Sequence, residues 1–211
     1  SMSDRLTQRR LFAQKLGLSD STQFILFAGR LQPQKDPVLL IQAIAALSHP
    51  NAHLLIAGDG ELASEMKAEA TRLGICDRIT PLGAQTQSEM AHLYQIANVF
   101  VLSSRFEGLP VSVLEALGSG TPIVTTDCGD TPRLLTPQSG IVCSDRTPDT
   151  MAEALDRVLF NPDDFASSAC VQAAQPYVAR VIISQLYREM MARWEVRSHQ
   201  RVRLSEARSY T

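Results

Sequence analysis

Glu107 and Glu115 stand eight positions apart in the run RFEGLPVSVLEALGSGTP at 105–122, with a Gly-Leu-Pro turn directly after the first. That spacing puts one carboxylate on a loop and the other on a helix. Pro110 fits the first turn of a helix, where a missing N–H costs nothing, so a helix is expected over 110–118. Free N–H groups at such a helix start, set between two carboxylates, suit a ligand that carries both phosphate and hydroxyls, as a nucleotide sugar does. A Glu pair at this spacing, taken alone, reads more readily as one exposed loop residue and one helix-surface residue. The neighbouring segments have to decide.

Those segments alternate. Apolar runs FILFAG (24–29), HLLIAG (53–58), RITPLG (78–83), VFVLSS (99–104), PIVTTD (122–127) and GIVC (140–143) are separated by helical patterns near 37–48, 61–73, 88–97 and 110–118 and a short one near 132–135. Six such strands joined by helices specify an α/β fold with a doubly wound, Rossmann-like parallel sheet, because strands buried on both faces are apolar throughout and need helical crossovers. A polar helix over 4–16 leads in. Beyond residue 147 the chain turns helical, over 151–159, 165–174 and 177–196. On the last of these Val178, Val181, Ile182, Leu186, Tyr187, Met190 and Trp194 form an apolar stripe. The stripe packs either on the same domain or on a domain absent from this chain. The expected organisation is a lead-in over 1–20, a nucleotide-sugar-binding domain over 21–160, C-terminal helices over 161–197 and a polar, Arg-rich tail over 198–211.

In an open parallel sheet ligands bind beyond the carboxyl ends of the strands, and three loops there carry suitable chemistry. The first strand ends in GRLQPQK, which delivers Gly29, Arg30 and, at the start of the next helix, Lys35. Two cations beside a helix N-terminus make a diphosphate clamp; the plain alternative is a pair of solvated charges. The second strand ends in GDGELA (58–63), a loose GxGxxA that resembles a dinucleotide fingerprint. The fingerprint belongs on the first strand, so Gly58 and Gly60 are expected to shape a tight turn near the ligand, and an NAD(P) oxidoreductase is the remote alternative. After the fourth strand come Ser103, Ser104, Arg105, Phe106 and Glu107, and the 108–110 turn exposes backbone N–H groups toward the crevice. Glu115 is placed to accept both hydroxyls of a ribose. Gly118 and Gly120 read as a helix C-cap, and Asp130 either caps the next helix or touches ligand.

Composition narrows the classes. Of 211 residues 45% are hydrophobic and 20% charged, and 20 Lys and Arg against 22 Asp and Glu leave a formal charge of −2, which argues against nucleic acid as a partner. Cys76, Cys128, Cys143 and Cys170 show no metal-ligand spacing and read as reduced thiols of a cytoplasmic protein. None of the four histidines is placed as a base and no Asp-x-Asp pattern is present, so no metal and no cofactor is expected. Apolar runs are too short to span a bilayer. Ser1 ahead of Met2 reads as an expression scar and is set aside.

Taken together, GRLQPQK, LLIAGDGEL, ANVFVLSSRFEGLPVSVLEALGSGTPIVTTD and SGIVC closely resemble the C-terminal, donor-binding domain of group 1, family 4 retaining glycosyltransferases of the GT-B fold, over residues 20–160 and most specifically over 98–127. The resemblance implies that Glu107 contacts the transferred sugar and Glu115 the ribose, with Arg30 and Lys35 on the diphosphate. It also implies that the backbone N–H groups of Gly108 and Leu109 assist, and that the base stacks near Leu82 and Gly83. Gly29, Gly58 and Pro110 complete the expected donor site. The family usually carries Gly-Gly and then Glu after the fifth strand, where this chain has Gly129, Asp130 and Arg133. Its fold also has an N-terminal domain that holds the acceptor, and RRLFAQKLGL resembles the segment just after the linker between the two. Expected partners are therefore a nucleotide sugar and, through a missing N-terminal domain, an acceptor glycan or lipid, with peripheral association of the full-length enzyme at the inner face of a membrane. The fragment alone is expected to transfer little or no sugar. A non-catalytic nucleotide-sugar-binding module is the rival reading.

Overall fold

The computed structural model describes residues 2–178 and, beyond them, residues 180, 181, 183, 184, 187, 188 and 190. The expected stripe residues Ile182, Leu186 and Trp194 and the tail over 198–211 lie outside the described residues. Six strands, β1 (Gln23–Ala28), β2 (Ala52–Ala57), β3 (Ile79–Gly83), β4 (Val99–Leu102), β5 (Ile123–Thr125) and β6 (Gly140–Val142), form one sheet of order β3-β2-β1-β4-β5-β6. Every pairing is parallel. The helices are α1 (Met2–Lys15), α2 (Pro37–Ala46), α3 (Ala63–Arg72), α4 (Gln87–Ile96), α5 (Val111–Gly118), α6 (Pro148–Phe160) and α7 (Ser167–Ala174). The piece expected over 132–135 is a 3-10 turn, Thr131–Leu134.

Central strands are buried on both parities: Phe24, Ile25, Leu26 and Phe27 of β1 and all four residues of β4 have no exposure. Burial of that kind requires helices on both faces. The chain runs outward from β1 to β3 and then jumps to β4 and runs outward again, so right-handed crossovers lay the two helix groups on opposite faces. α2 packs between α3 and α6 on one face; α5 packs between α4 and α7, with α1 against α4, on the other. Burying an aliphatic or aromatic side chain of this core contributes about 1.5–3 kcal/mol.

The polar lead-in helix is anchored by charge. Arg5 Nε donates to Gln95 O at 2.8 Å and Arg9 Nε to Ile96 O at 2.7 Å, satisfying carbonyls that the C-terminus of α4 leaves open. Burial, with Arg5 close by, lowers the Arg9 guanidinium to about 10. Arg5 Nη1 also donates to Gly120 O and Ser167 Oγ, so one side chain joins α1 to the ends of α5 and α7. Contacts divide the chain after Ala174, and the second unit begins with a 3-10 turn, Gln175–Tyr177. Among the described residues no helix is long and apolar enough to cross a membrane.

Candidate functional site

The strand order reverses between β1 and β4, and at such a switch point the loops leaving the two strands diverge and open a crevice. Here the loops are residues 29–36 and 103–110. They are tied by the Arg105 N–H donating to Gln34 O at 2.8 Å, Gln34 Nε2 to Phe106 O at 3.0 Å and Ser103 Oγ to Lys35 O at 2.7 Å. Between them Lys35 Nζ meets Glu107 Oε1 at 2.6 Å, with the side chains only 15% and 9% exposed. Ser104 Oγ donates to the same oxygen at 2.6 Å, and the Ser104 carbonyl accepts from Thr126 Oγ1 beyond β5. Two donors on one oxygen fix the Glu107 carboxylate and direct its other oxygen elsewhere.

Asp36 locks this junction. It has a φ of 45°, and it is the one non-glycine residue with positive φ among the described residues. Its side chain accepts from the Leu39 N–H as the N-cap of α2, and it pairs with Arg105 at 3.1 Å and with Arg146. A left-handed backbone at a residue with a Cβ costs about 1–2 kcal/mol, held here by the cap and the two guanidiniums. Asp36→Ala should therefore lower unfolding free energy in urea by about 2–3 kcal/mol. Asp36→Gly should lower it by roughly 1 kcal/mol less, because glycine adopts this φ freely and caps nearly as well. Equal losses in the two variants would show that the backbone geometry carries no cost.

Arg30 and Lys35 have different surroundings. Arg30 is exposed and borders a cleft of about 520 Å³ with Gln32, Asp59, Gly60 and Glu61, whereas Lys35 is held by Glu107. The glycine turn after β2 is pressed on the loop after β1. Gly58 has a φ of 138° and an added Cβ would lie 2.0 Å from Gly29 O, while one on Gly60 would lie 2.3 Å from Leu31 O. The Leu31 N–H donates to Asp59 O and the Leu62 N–H to Leu31 O, both at 3.0 Å. The turn thus follows β2, one strand away from the switch point. Gly29 packs over the Lys35 stem, its built Cβ 3.3 Å from Lys35 Cε. At the sheet edge the Leu82 carbonyl accepts from Gln85 Nε2 and the Gly83 carbonyl from the Gly58 N–H, both at 2.8 Å.

Pro110 is the N-cap of α5 rather than a residue of its first turn: its ψ of 113° is extended, and the helix begins at Val111. The Val113 N–H already returns to Pro110 O at 3.1 Å, which leaves those of Val111 and Ser112 as the open donors of the helix start. Gly108 and Leu109 are exposed, and the Gly108 carbonyl accepts from the Asp130 N–H at 3.3 Å. Asp130 makes no side-chain cap and pairs with Arg133 at 3.1 Å. Glu115 is exposed on α5 and accepts from Tyr94 Oη at 2.9 Å. Burial first, and the Glu115 charge second, raise the Tyr94 phenol well above its ordinary value. α5 closes with Gly120 at a φ of 76°, its N–H donating to Leu117 O and that of Thr121 to Ala116 O. Among the described residues no three His, Cys, Asp or Glu side chains come together as a metal site.

Sequence reasoning placed Lys35 and Glu107 at one crevice but left them unpaired. It passed over Asp36, Ser104 and Tyr94 as functional side chains. An Asp directly before Pro37 is a capping signal, and a tyrosine among the apolar positions of α4 needs a partner for its hydroxyl.

The family model described as glycosyl transferases group 1 matches residues 8–175. An uncharacterized glycosyltransferase of Methanocaldococcus jannaschii is 33% identical over 150 residues, 70% of this chain and 38% of that protein. A D-inositol 3-phosphate glycosyltransferase of Segniliparus rotundus is 31% identical over 156 residues, 71% of this chain and 35% of that protein. Among solved structures, Anabaena HepE in complex with UDP and glucose superposes with a TM-score of 0.77 at 21% identity, covering 88% of this chain and 52% of that one. The chain thus spans little more than a third of these curated relatives.

Proposed function

This chain belongs to the group 1 glycosyl transferases, and from that membership we propose that its switch-point crevice holds the nucleotide-sugar donor of a retaining glycosyl transfer to an acceptor hydroxyl. The observation that carries the reading is the Lys35–Glu107 pair at 2.6 Å, a cation and an oriented carboxylate side by side where β1 and β4 part. In its support, the HepE structure of the same fold was solved with UDP and glucose.

On this reading Glu107 contacts the sugar and Glu115 the ribose hydroxyls. Lys35, Arg30 and the backbone N–H groups of Gly108 and Leu109 face the diphosphate, and the base lies near Leu82 and Gly83. Gly29, Gly58 and Pro110 shape the walls. Transfer breaks the bond from the anomeric carbon to the β-phosphate oxygen and forms one to the acceptor oxygen on the same face, the hydroxyl proton passing to the departing phosphate. Charge gathers on that phosphate, where Arg30 and Lys35 stabilise it, Lys35 being fixed beforehand by Glu107. These cations take the part of a metal in neutralising the diphosphate. The acceptor, a glycan or a lipid, is held by a further domain of the whole enzyme, which works in glycan, polysaccharide or glycolipid synthesis at the cytoplasmic face of a membrane.

Calorimetric titration with UDP, GDP, ADP and NAD tests the reading. One of the nucleoside diphosphates should bind, Arg30→Ala and Glu115→Ala should weaken it, and Glu107→Gln should act mainly on the intact sugar donor. Binding of NAD with none of the three diphosphates would overturn it.

A further inference from the structure

We propose that Tyr94 is a positioning residue that presets the Glu115 carboxylate for a ribose diol and so makes the crevice select ribonucleotides over 2′-deoxyribonucleotides. The inference rests on the donor reading above. It starts from a phenol fixed at both ends. Tyr94 is 3% exposed, its ring lies against Phe100 of β4 with centroids 5.7 Å apart, and its main-chain carbonyl accepts from Thr121 Oγ1 at 2.5 Å. A buried hydroxyl requires a hydrogen-bond partner. Among the described residues its partner is Glu115 Oε2, at 2.9 Å.

The direction of this bond matters. A neutral phenol donates, so Glu115 accepts, which holds Oε2 toward α4. Oε1 is left as the acceptor open to a ligand. A glutamate on an exposed helix face otherwise samples several rotamers, and ordering it on binding costs about 0.5–1.5 kcal/mol. Tyr94 removes that cost before the ligand arrives. Vicinal hydroxyls are the donors that profit, because the preset carboxylate can take both, and a sugar lacking one loses part of the gain.

The test is titration of the chain, its Tyr94→Phe and Glu115→Gln variants and the double variant with UDP, GDP and ADP, each beside its 2′-deoxy counterpart. Tyr94→Phe keeps the ring against Phe100, and its melting temperature checks the fold. The expected result is a fall of about five- to tenfold in ribonucleotide affinity and a smaller fall for the deoxynucleotides, which keep one of the two hydroxyls. Glu115→Gln should abolish the ribose preference, and Tyr94→Phe should add nothing in that background. An equal fall for both sugars, a ribose preference undiminished in Tyr94→Phe, or one that survives Glu115→Gln overturns the inference and leaves the donor reading standing. Failure of the unmodified chain to bind any of the diphosphates overturns both.

Discussion

Lys35→Ala should weaken nucleoside diphosphate binding about a hundredfold while the sheet stays folded. Two effects act in the same direction. The variant removes a charge-assisted donor to phosphate, which is worth about 1.5–3 kcal/mol. It also leaves Glu107, whose side chain is 9% exposed, with Ser104 as its one remaining side-chain donor among the described residues. That carboxylate then repels the ligand it formerly helped to frame. Lys35→Ala combined with Glu107→Gln should therefore recover about tenfold of the loss, a gain that calorimetry resolves. Unchanged affinity in the single variant would assign Lys35 to the architecture of the two loops rather than to phosphate. Lys35→Arg is not expected to be silent, since a planar fork does not reproduce a point charge at 2.6 Å from one carboxylate oxygen.

The second large effect concerns stability. Gly58→Ala should lower unfolding free energy by about 2–5 kcal/mol, of which the left-handed φ accounts for about 1–2 kcal/mol and the enforced overlap for about 1–3 kcal/mol. The overlap is unavoidable: the new Cβ would lie 2.0 Å from a backbone oxygen, that of Gly29, and no rotamer relieves it. Against a typical total of about 5–15 kcal/mol, the melting temperature should drop steeply and the loop carrying Arg30 should shift. Gly118→Ala is the matched control. Its Cβ meets nothing within 4 Å and it lies in α5, so it should be neutral or mildly stabilising. Similar melting temperatures for the two variants would refute the packing account of the turn.

The elements were legible because buried parallel strands are apolar along their whole length: FILFAG and VFVLSS name β1 and β4 to within two residues at either end. Helix ends were less so. α2 stops at Ala46, short of the expected 48, where Leu47 turns to extended backbone, and α5 begins one residue late because Pro110 itself is extended. At the site, Lys35 and Glu107 could be assigned to neighbouring loops from strand alternation alone. Their ion pair could not, since it depends on how Ser103 and Arg105 bind the opposite loop. Arg5 and Arg9 read as ordinary charges of a polar helix. Their targets are backbone carbonyls about 90 residues away, which no local pattern announces.

The strand order also fixes a sequence of events. β1 meets β2 across six residue pairs from nearby sequence, but its other neighbour, β4, pairs with it only at Ile25–Val99 and Leu26–Phe100. Lys35 and Glu107 are 72 residues apart. During synthesis β1, β2 and β3 can assemble while β4 is still being made, leaving QFILFA with one bare, apolar edge. Until ANVFVL arrives to cover it, that edge is the part of the nascent chain most open to pairing with another molecule. Lesions in β4 would thus be felt as aggregation during production before they were felt in any assay of the finished protein.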